Sequence, residues 1–236
     1  MNSFESFSAQ HLLTVAGFAL VVTLAITGAR RITNPNRRRL LEVSVAALSA
    51  ALWIGIVIWG FAPSRFNPRW SYPINICDLV ALVVPIAFVR PHWTWHALLY
   101  FWGLTLSTQA ILTPDLVSGP STLAFWIFWL MHVLIVGGAV YVLIVRRYRP
   151  TWRHCGFAIA TAVLWLIIVF AIDLATGFNY GYVGNAKPSQ PTLIDYLGPW
   201  PQRVVVMAIL GSVAMMILQL PWTLVRSRGQ SRTQAS

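Results

Sequence analysis

Cys77 is the residue of this chain best suited to covalent chemistry. It stands in the run Pro73-Ile74-Asn75-Ile76-Cys77-Asp78-Leu79. The apolar stretch Ile76–Val89 that follows is short, about 21 Å as a helix. Asn75 suits the N-cap of that helix, and Asp78 then falls at N3, as in a capping box. Cys77 lies in the first turn, where unpaired N–H groups and the positive dipole end favour a thiolate. The adjacent Asp78 opposes that charge. A thiolate attacks acyl carbon when a base stands beside it. A free cysteine is also a common small apolar filler, and both readings of Cys77 stay open at this point. Cys155 falls at the opposite end of another apolar segment, so no disulfide to Cys77 is expected. With two cysteines and no zinc-type spacing, neither a metal nor another cofactor is expected.

His132 is the only histidine deep inside an apolar segment. A histidine there normally faces the bundle interior and has a partner. It is either a general base or an interhelical hydrogen bond. The polar residues Gln109 and Asp115 close the apolar segment before it, with Thr113-Pro114 as ordinary helix-stop chemistry. The stretch Gly177–Gln202 is the longest connection and holds Asn179, Tyr180 and Trp200. Its aromatics either cap a site or seat in the membrane interface, and the cap is preferred because Leu193–Leu197 can dip back toward the bundle. His11, His92, His96 and His154 are assigned no role.

These residues need a scaffold, and composition limits what it is. Apolar and aromatic residues make up 57% of the 236, charged residues only 10%, and the mean hydropathy is +0.66. A soluble domain carries about 25% charged residues, so lipid is the expected solvent. Backbone groups in lipid must be satisfied within the segment, which makes long apolar runs helices. The expected spans are His11–Ala29, Leu40–Phe61, Ile74–Val89, Trp93–Leu112, Ser121–Val145, Cys155–Thr176 and Arg203–Val225. The expected fold is therefore all-α, a polytopic bundle of seven transmembrane helices. Residues 1–225 form one domain, and 226–236 are a polar, disordered cytoplasmic tail. Pro85 is expected to kink its helix. Met1–Gln10 has no basic residue, so a cleavable signal peptide is not expected.

The net charge of +11 does not argue for nucleic acid, because no polar segment builds such a domain. Thirteen of the seventeen basic residues fall on one side of the expected spans: Arg30, Arg31, Arg37–Arg39, Arg90, Arg146, Arg147, Arg149, Arg153, Arg226, Arg228 and Arg232. Basic short loops stay cytoplasmic, which predicts N-out, C-in. Of the acids, Glu5, Asp78, Asp115, Asp173 and Asp195 fall on the other side and only Glu42 among the arginines. That sorting is either incidental or the mark of a site.

Taken together, these residues resemble a membrane family comprising YwaF-like bacterial proteins and animal transmembrane protein 164. The resemblance runs over nearly the whole chain. It rests on Pro73 with Cys77-Asp78-Leu79, Tyr100-Phe101-Trp102-Gly103, Gln109 through Thr113-Pro114-Asp115, and His132. Asn179-Tyr180, Lys187-Pro188 and Leu197-Gly198-Pro199-Trp200-Pro201 complete it. Animal members are described as cysteine-dependent acyltransferases that move fatty acyl chains between phospholipids and lysophospholipids. The resemblance implies that Cys77 is the family cysteine and His132 the family histidine. Many bacterial members look like His-Leu-Cys-Asp at this point, whereas here Asn75 stands two places before Cys77.

The leading expectation is an acyltransferase acting on membrane lipids at the extracytoplasmic face of a bacterial plasma membrane. Cys77 is the nucleophile, His132 the base, and Asp78 or Asp115 the group that orients His132. Asn75, Gln109, Asp115, Asn179, Tyr180 and Trp200 are the expected substrate-binding residues, with several of them donating to the oxyanion. The competing expectation is a lipid or small-molecule carrier without chemistry, in which Asp78, Asp115, Asp173 and His132 form a binding site. No inverted repeat of the sort many carriers show is visible. A scaffold subunit is a third possibility. No nucleic-acid partner is expected.

Overall fold

The computed structural model describes residues 4–186 and 192–234, with side chains described as far as Leu224. All regular structure among the described residues is helical. The helices are α1 (Ala9–Arg31), α2 (Pro35–Gly60), α3 (Ile76–Val89), α4 (Trp93–Phe101), α5 (Thr108–Leu112), α6 (Leu123–Ile144), α7 (Trp152–Thr176) and α8 (Gln202–Gln234). A π-helical turn, Trp102–Leu106, joins α4 to α5, so three pieces make up the rod from Trp93 to Leu112. Every expected span coincides with a helical rod, except that this one is broken. Pro85 lies inside α3 without interrupting it. α8 continues to Gln234, into the polar stretch expected to be a disordered tail.

Five helices, α1, α2, α6, α7 and the stretch Gln202–Leu224 of α8, are long and apolar enough to cross a membrane. Their ends are set by local chemistry. Ser8, Thr122 and Thr151 cap α1, α6 and α7 by accepting from a backbone N–H of the first turn. Asn34 caps α2, with Pro35 at the first position, where its missing N–H is no loss. Gly177, at φ 70°, closes α7 in the left-handed region.

The core sits on α3, α4 and α6. Val80, Val84, Ala87 and Phe88 interdigitate with Ala97, Leu99 and Phe101 and with Ile135, Ala139 and Val142, all of them buried. Gly103 lets the π-helical turn approach α6, since a Cβ there would lie 3.3 Å from Ile135. The peripheral helices turn apolar residues outward, as with Leu13 (72% exposed) and Ile58 (67%). Outward leucine and isoleucine in such density is what lipid, rather than water, accepts.

Indole N–H groups fix the rods to one another at backbone carbonyls. Trp53 of α2 donates to Asp78 O, Trp165 of α7 to Ile74 O, and Trp102 to Ala158 O, each at 2.9 Å. His11, to which the sequence assigned no role, accepts from Phe7 N–H and donates through Nε2 to Ile111 O (2.8 Å each), pinning α1 to the end of α5. These contacts bring the start of α1, the end of α2, the start of α3 and the end of α5 to one end of the bundle. One end of the bundle gathers Cys77, Asp115 and the loop after α7 and is called here the site end. The other end carries the arginine cluster.

That arginine end is locked by one buried ion pair. Arg146 meets Glu42 through two bonds, Nε–Oε1 at 3.0 Å and Nη2–Oε2 at 2.8 Å. It also donates to the C-terminal carbonyls of α3, Ala87 O at 2.6 Å and Phe88 O at 2.7 Å. Tyr141 donates to Glu42 at 2.9 Å. A buried pair is tolerated when its remaining lone pairs and protons are satisfied in this way.

Candidate functional site, a roofed cavity at one end of the bundle

A cavity of about 790 Å³ opens at the site end between α3, the π-helical turn, α6, α7 and α8. Near its mouth the walls are polar: Arg69, Asn75, Cys77, Asp78, Gln109, Asp115, Asn179 and Tyr182. Deeper they are Leu106, Phe128, Met131, Met207, Leu210 and Met215, with His132 among them. A volume of this size suits a drug-sized or single-chain apolar molecule.

Asn75 organises the mouth. Its backbone N–H and its side-chain Nδ2 both donate to Asp78 Oδ2, at 3.1 and 2.9 Å. Its Oδ1 accepts from Gly181 N–H at 2.9 Å. The N-cap expected from the sequence thus becomes a strut between α3 and the loop after α7. Asp78, expected to orient His132, instead holds Asn75. The Nδ1 of His132 bonds to Phe128 O, one helical turn back, at 2.7 Å. A carbonyl only accepts, so Nδ1 carries the proton and Nε2 is the bare nitrogen. His132 is 2% exposed, and its Nε2 has no hydrogen-bond partner among the described residues. A buried unpaired nitrogen on a cavity wall is poised to receive a proton from whatever enters.

Cys77 and Cys155 are both free. Cys77 lines the cavity, and the Oγ of nearby Ser107 is buried without a hydrogen-bond partner among the described residues. Ser107 is fully buried at the end of the π-helical turn and closes it by an N–H bond to Trp102 O at 2.9 Å. The sequence offered no signal for Ser107, since a lone serine in an apolar segment is unremarkable. Its position follows from the π-helical turn, a feature found mostly at functional sites.

The loop after α7 is the roof. Tyr180 is buried, and its hydroxyl donates to Pro68 O at 2.6 Å and accepts from Tyr72 N–H at 3.1 Å. Tyr180 N–H donates to Asp173 Oδ1 at 3.0 Å. Asn179 donates through Nδ2 to Ala186 O at 2.7 Å. Gly181, at φ 60°, lies on the Trp165 ring. Tyr182 reaches Asp115 at 3.4 Å, long for an O–H···O bond. Burial pushes both phenols up, and neighbouring carboxylates, Asp115 for Tyr182, add to it, so both stay neutral. Leu193, Ile194 and Leu197, in a second turn, complete the wall. Eight of the nine sequence-derived site residues therefore converge on one cavity. Trp200 does not line it. Its indole donates to Val183 O at 3.0 Å and buttresses the roof from behind. Lys187 and Pro188, which also carried the resemblance, lie outside the described residues. No group of histidine, cysteine or acidic residues suited to a metal ion occurs among the described residues.

Fold and cavity together define a multi-pass helical membrane protein with a thiol-bearing cavity at one end of its bundle. A model of the TMEM164 family matches residues 6–219, and the chain belongs to that family. No curated protein and no solved structure matches the chain.

Proposed function

We propose that the protein is a cysteine-dependent acyltransferase acting on membrane lipids. The observation that carries this reading is the shared cavity of Cys77 and a His132 whose bare Nε2 has no other partner. The Cys77 sulfur attacks the acyl carbonyl of a donor lipid while His132 Nε2 takes the thiol proton. The tetrahedral intermediate collapses as the C–O bond breaks and His132 returns that proton to the departing lysolipid oxygen. The acyl group is now a thioester on Cys77, which splits one hard transfer into two easier ones. An acceptor hydroxyl enters and His132 takes its proton. The new C–O bond forms, the C–S bond breaks, and the proton returns to sulfur. Asn75 and Gln109 stand at the mouth as oxyanion donors, and the apolar depth of the cavity takes the acyl chain.

In this reading the chain crosses the membrane seven times, with α3 and the rod Trp93–Leu112 as the two spans beyond the five long ones. The arginine end faces the cytoplasm by the basic-loop rule, so the cavity opens to the extracytoplasmic leaflet of a bacterial plasma membrane. The acyl donor and acceptor are lipids of that leaflet.

The test uses purified protein reconstituted with a phospholipid labelled in its acyl chain. Wild type forms a hydroxylamine-sensitive labelled adduct and passes label to a lysolipid. Cys77→Ser forms no thioester, and His132→Ala slows adduct formation about a hundredfold or more. Full transfer by Cys77→Ser would remove the nucleophile and with it the proposal.

A further inference from the structure

A second cavity, of about 740 Å³, lies at the arginine end, far from the thiol. Arg30 comes to it from the end of α1, Arg38 from the start of α2, and Arg146 and Arg147 from the end of α6. Convergence of cations from three separate helices differs from a run of arginines along one solvated loop. Their charge is largely uncompensated. Glu42 is the only acid at this end among the described residues, and Arg146 holds both its oxygens. Arg38 donates one Nη2 bond to Ile32 O, while its Nε is buried without a partner among the described residues. Arg147 is held at φ 56°, a left-handed conformation uncommon outside glycine and asparagine.

Ile144 and Val145 add an apolar wall beside the arginines. α1 packs on α6, and α2 packs on α3 and α6, with little direct contact between α1 and α2 despite their short connection. The two helices therefore splay from the turn at residues 32–34. Exposed apolar side chains stand on both helices near the turn: Leu24 of α1 is 62% exposed and Leu40 of α2 68%. A cationic cup above an apolar cleft is complementary to a phosphate carried on acyl chains.

We infer that this end binds the headgroup of an anionic phospholipid, with the phosphodiester among Arg30, Arg38 and Arg147 and an acyl chain along the cleft between α1 and α2. The site is independent of the thiol cavity and of the acyl-transfer reading. Basic pockets between transmembrane helices are a physically sound home for such headgroups, and a zwitterionic lipid carries an ammonium that cancels the attraction.

The experiment is native mass spectrometry of the full-length protein from micelles doped with phosphatidylglycerol or phosphatidylcholine. One phosphatidylglycerol is expected to be retained in preference to phosphatidylcholine. Retention should weaken about fivefold in Arg30→Gln and again in Arg147→Gln, the effect of one arginine near an anionic headgroup. Arg31→Gln and Arg37→Gln remove the same charge from the same end but do not line the cavity, and should retain lipid like wild type. Arg30→Lys keeps the charge and should keep binding, which separates lost attraction from lost folding. Equal retention of the two lipids overturns the inference. So does equal weakening by Arg31→Gln and Arg37→Gln, which would mean diffuse attraction. Displacement of the lipid by millimolar inorganic phosphate would make free phosphate the occupant and overturn the lipid assignment.

Discussion

Gly181→Ala tests whether the roof is held shut by its contact with Trp165. Gly181 sits at φ 60°, and a methyl there would lie 2.7 Å from Trp165 Cζ2 and closer still to Cη2. The left-handed conformation alone costs an alanine about 1 kcal/mol. The clash adds to it, because Trp165 must move and lose its 2.9 Å bond to Ile74 O, about 1–2 kcal/mol more. The sum, roughly 2–3 kcal/mol, raises the open population of the roof about 30- to 150-fold. Gly177→Ala is the matched control. Gly177 has φ 70° with nothing within 4 Å of an added Cβ, so only the conformational cost applies, about fivefold. Two readouts report opening in lipid nanodiscs: amide exchange of residues 178–186, and the rate at which a small maleimide labels Cys77. Both should rise far more in Gly181→Ala than in Gly177→Ala, while buried Cys155 stays unlabelled. Equal effects in the two variants would show that Trp165 does not hold the turn.

Three further outcomes follow from contacts described above. Tyr180→Phe removes the 2.6 Å bond to Pro68 O and leaves Tyr72 N–H unpaired. It should destabilise the roof by about 1–3 kcal/mol, read as faster exchange of residues 178–186 with little change in global melting. Arg146→Met leaves Glu42 buried without its cation and should cost about 3–5 kcal/mol. Adding Glu42→Leu should recover most of that loss in a melting series, because the pair itself adds little net stability. Ser107→Ala removes a buried hydroxyl without a hydrogen-bond partner among the described residues, near Cys77, and should slow thioester formation about tenfold. Its melting midpoint should not change.

The rods were legible from the sequence because lipid leaves the backbone no alternative to helix, so apolar run length translates directly into span position. The mouth of the cavity was legible in part. Asn75 and Asp78 carry a local capping signature, and only the fold turns that signature into a strut reaching Gly181, 106 residues away. The π-helical turn was not legible. Within it Gly103 packs closely on Ile135 and Ala139, residues far away in the chain that no local pattern pairs with it. Ser107, which ends that turn, carries no sequence signal for the same reason. Asp78 or Asp115 was the expected partner of His132; Asp78 bonds to Asn75, and His132 Nδ1 finds its partner within its own helix. Phe128 O lies a single turn before His132 and is always within reach, so no remote carboxylate is needed. Trp200 misled because aromatics that buttress a loop and aromatics that line a cavity look alike in sequence.

The Glu42–Arg146 pair also bears on how the chain is made. Its two halves are 104 residues apart, so the ribosome delivers α2 and its carboxylate long before α6 exists. During that interval α2 is an incomplete membrane helix, carrying a group that lipid tolerates poorly near its end. Until then α1 and α2 also lack α6, on which both of them pack. Once α6 is in place, Arg146 bridges Glu42 to the last carbonyls of α3. A truncation before Arg146 leaves Glu42 without its cation.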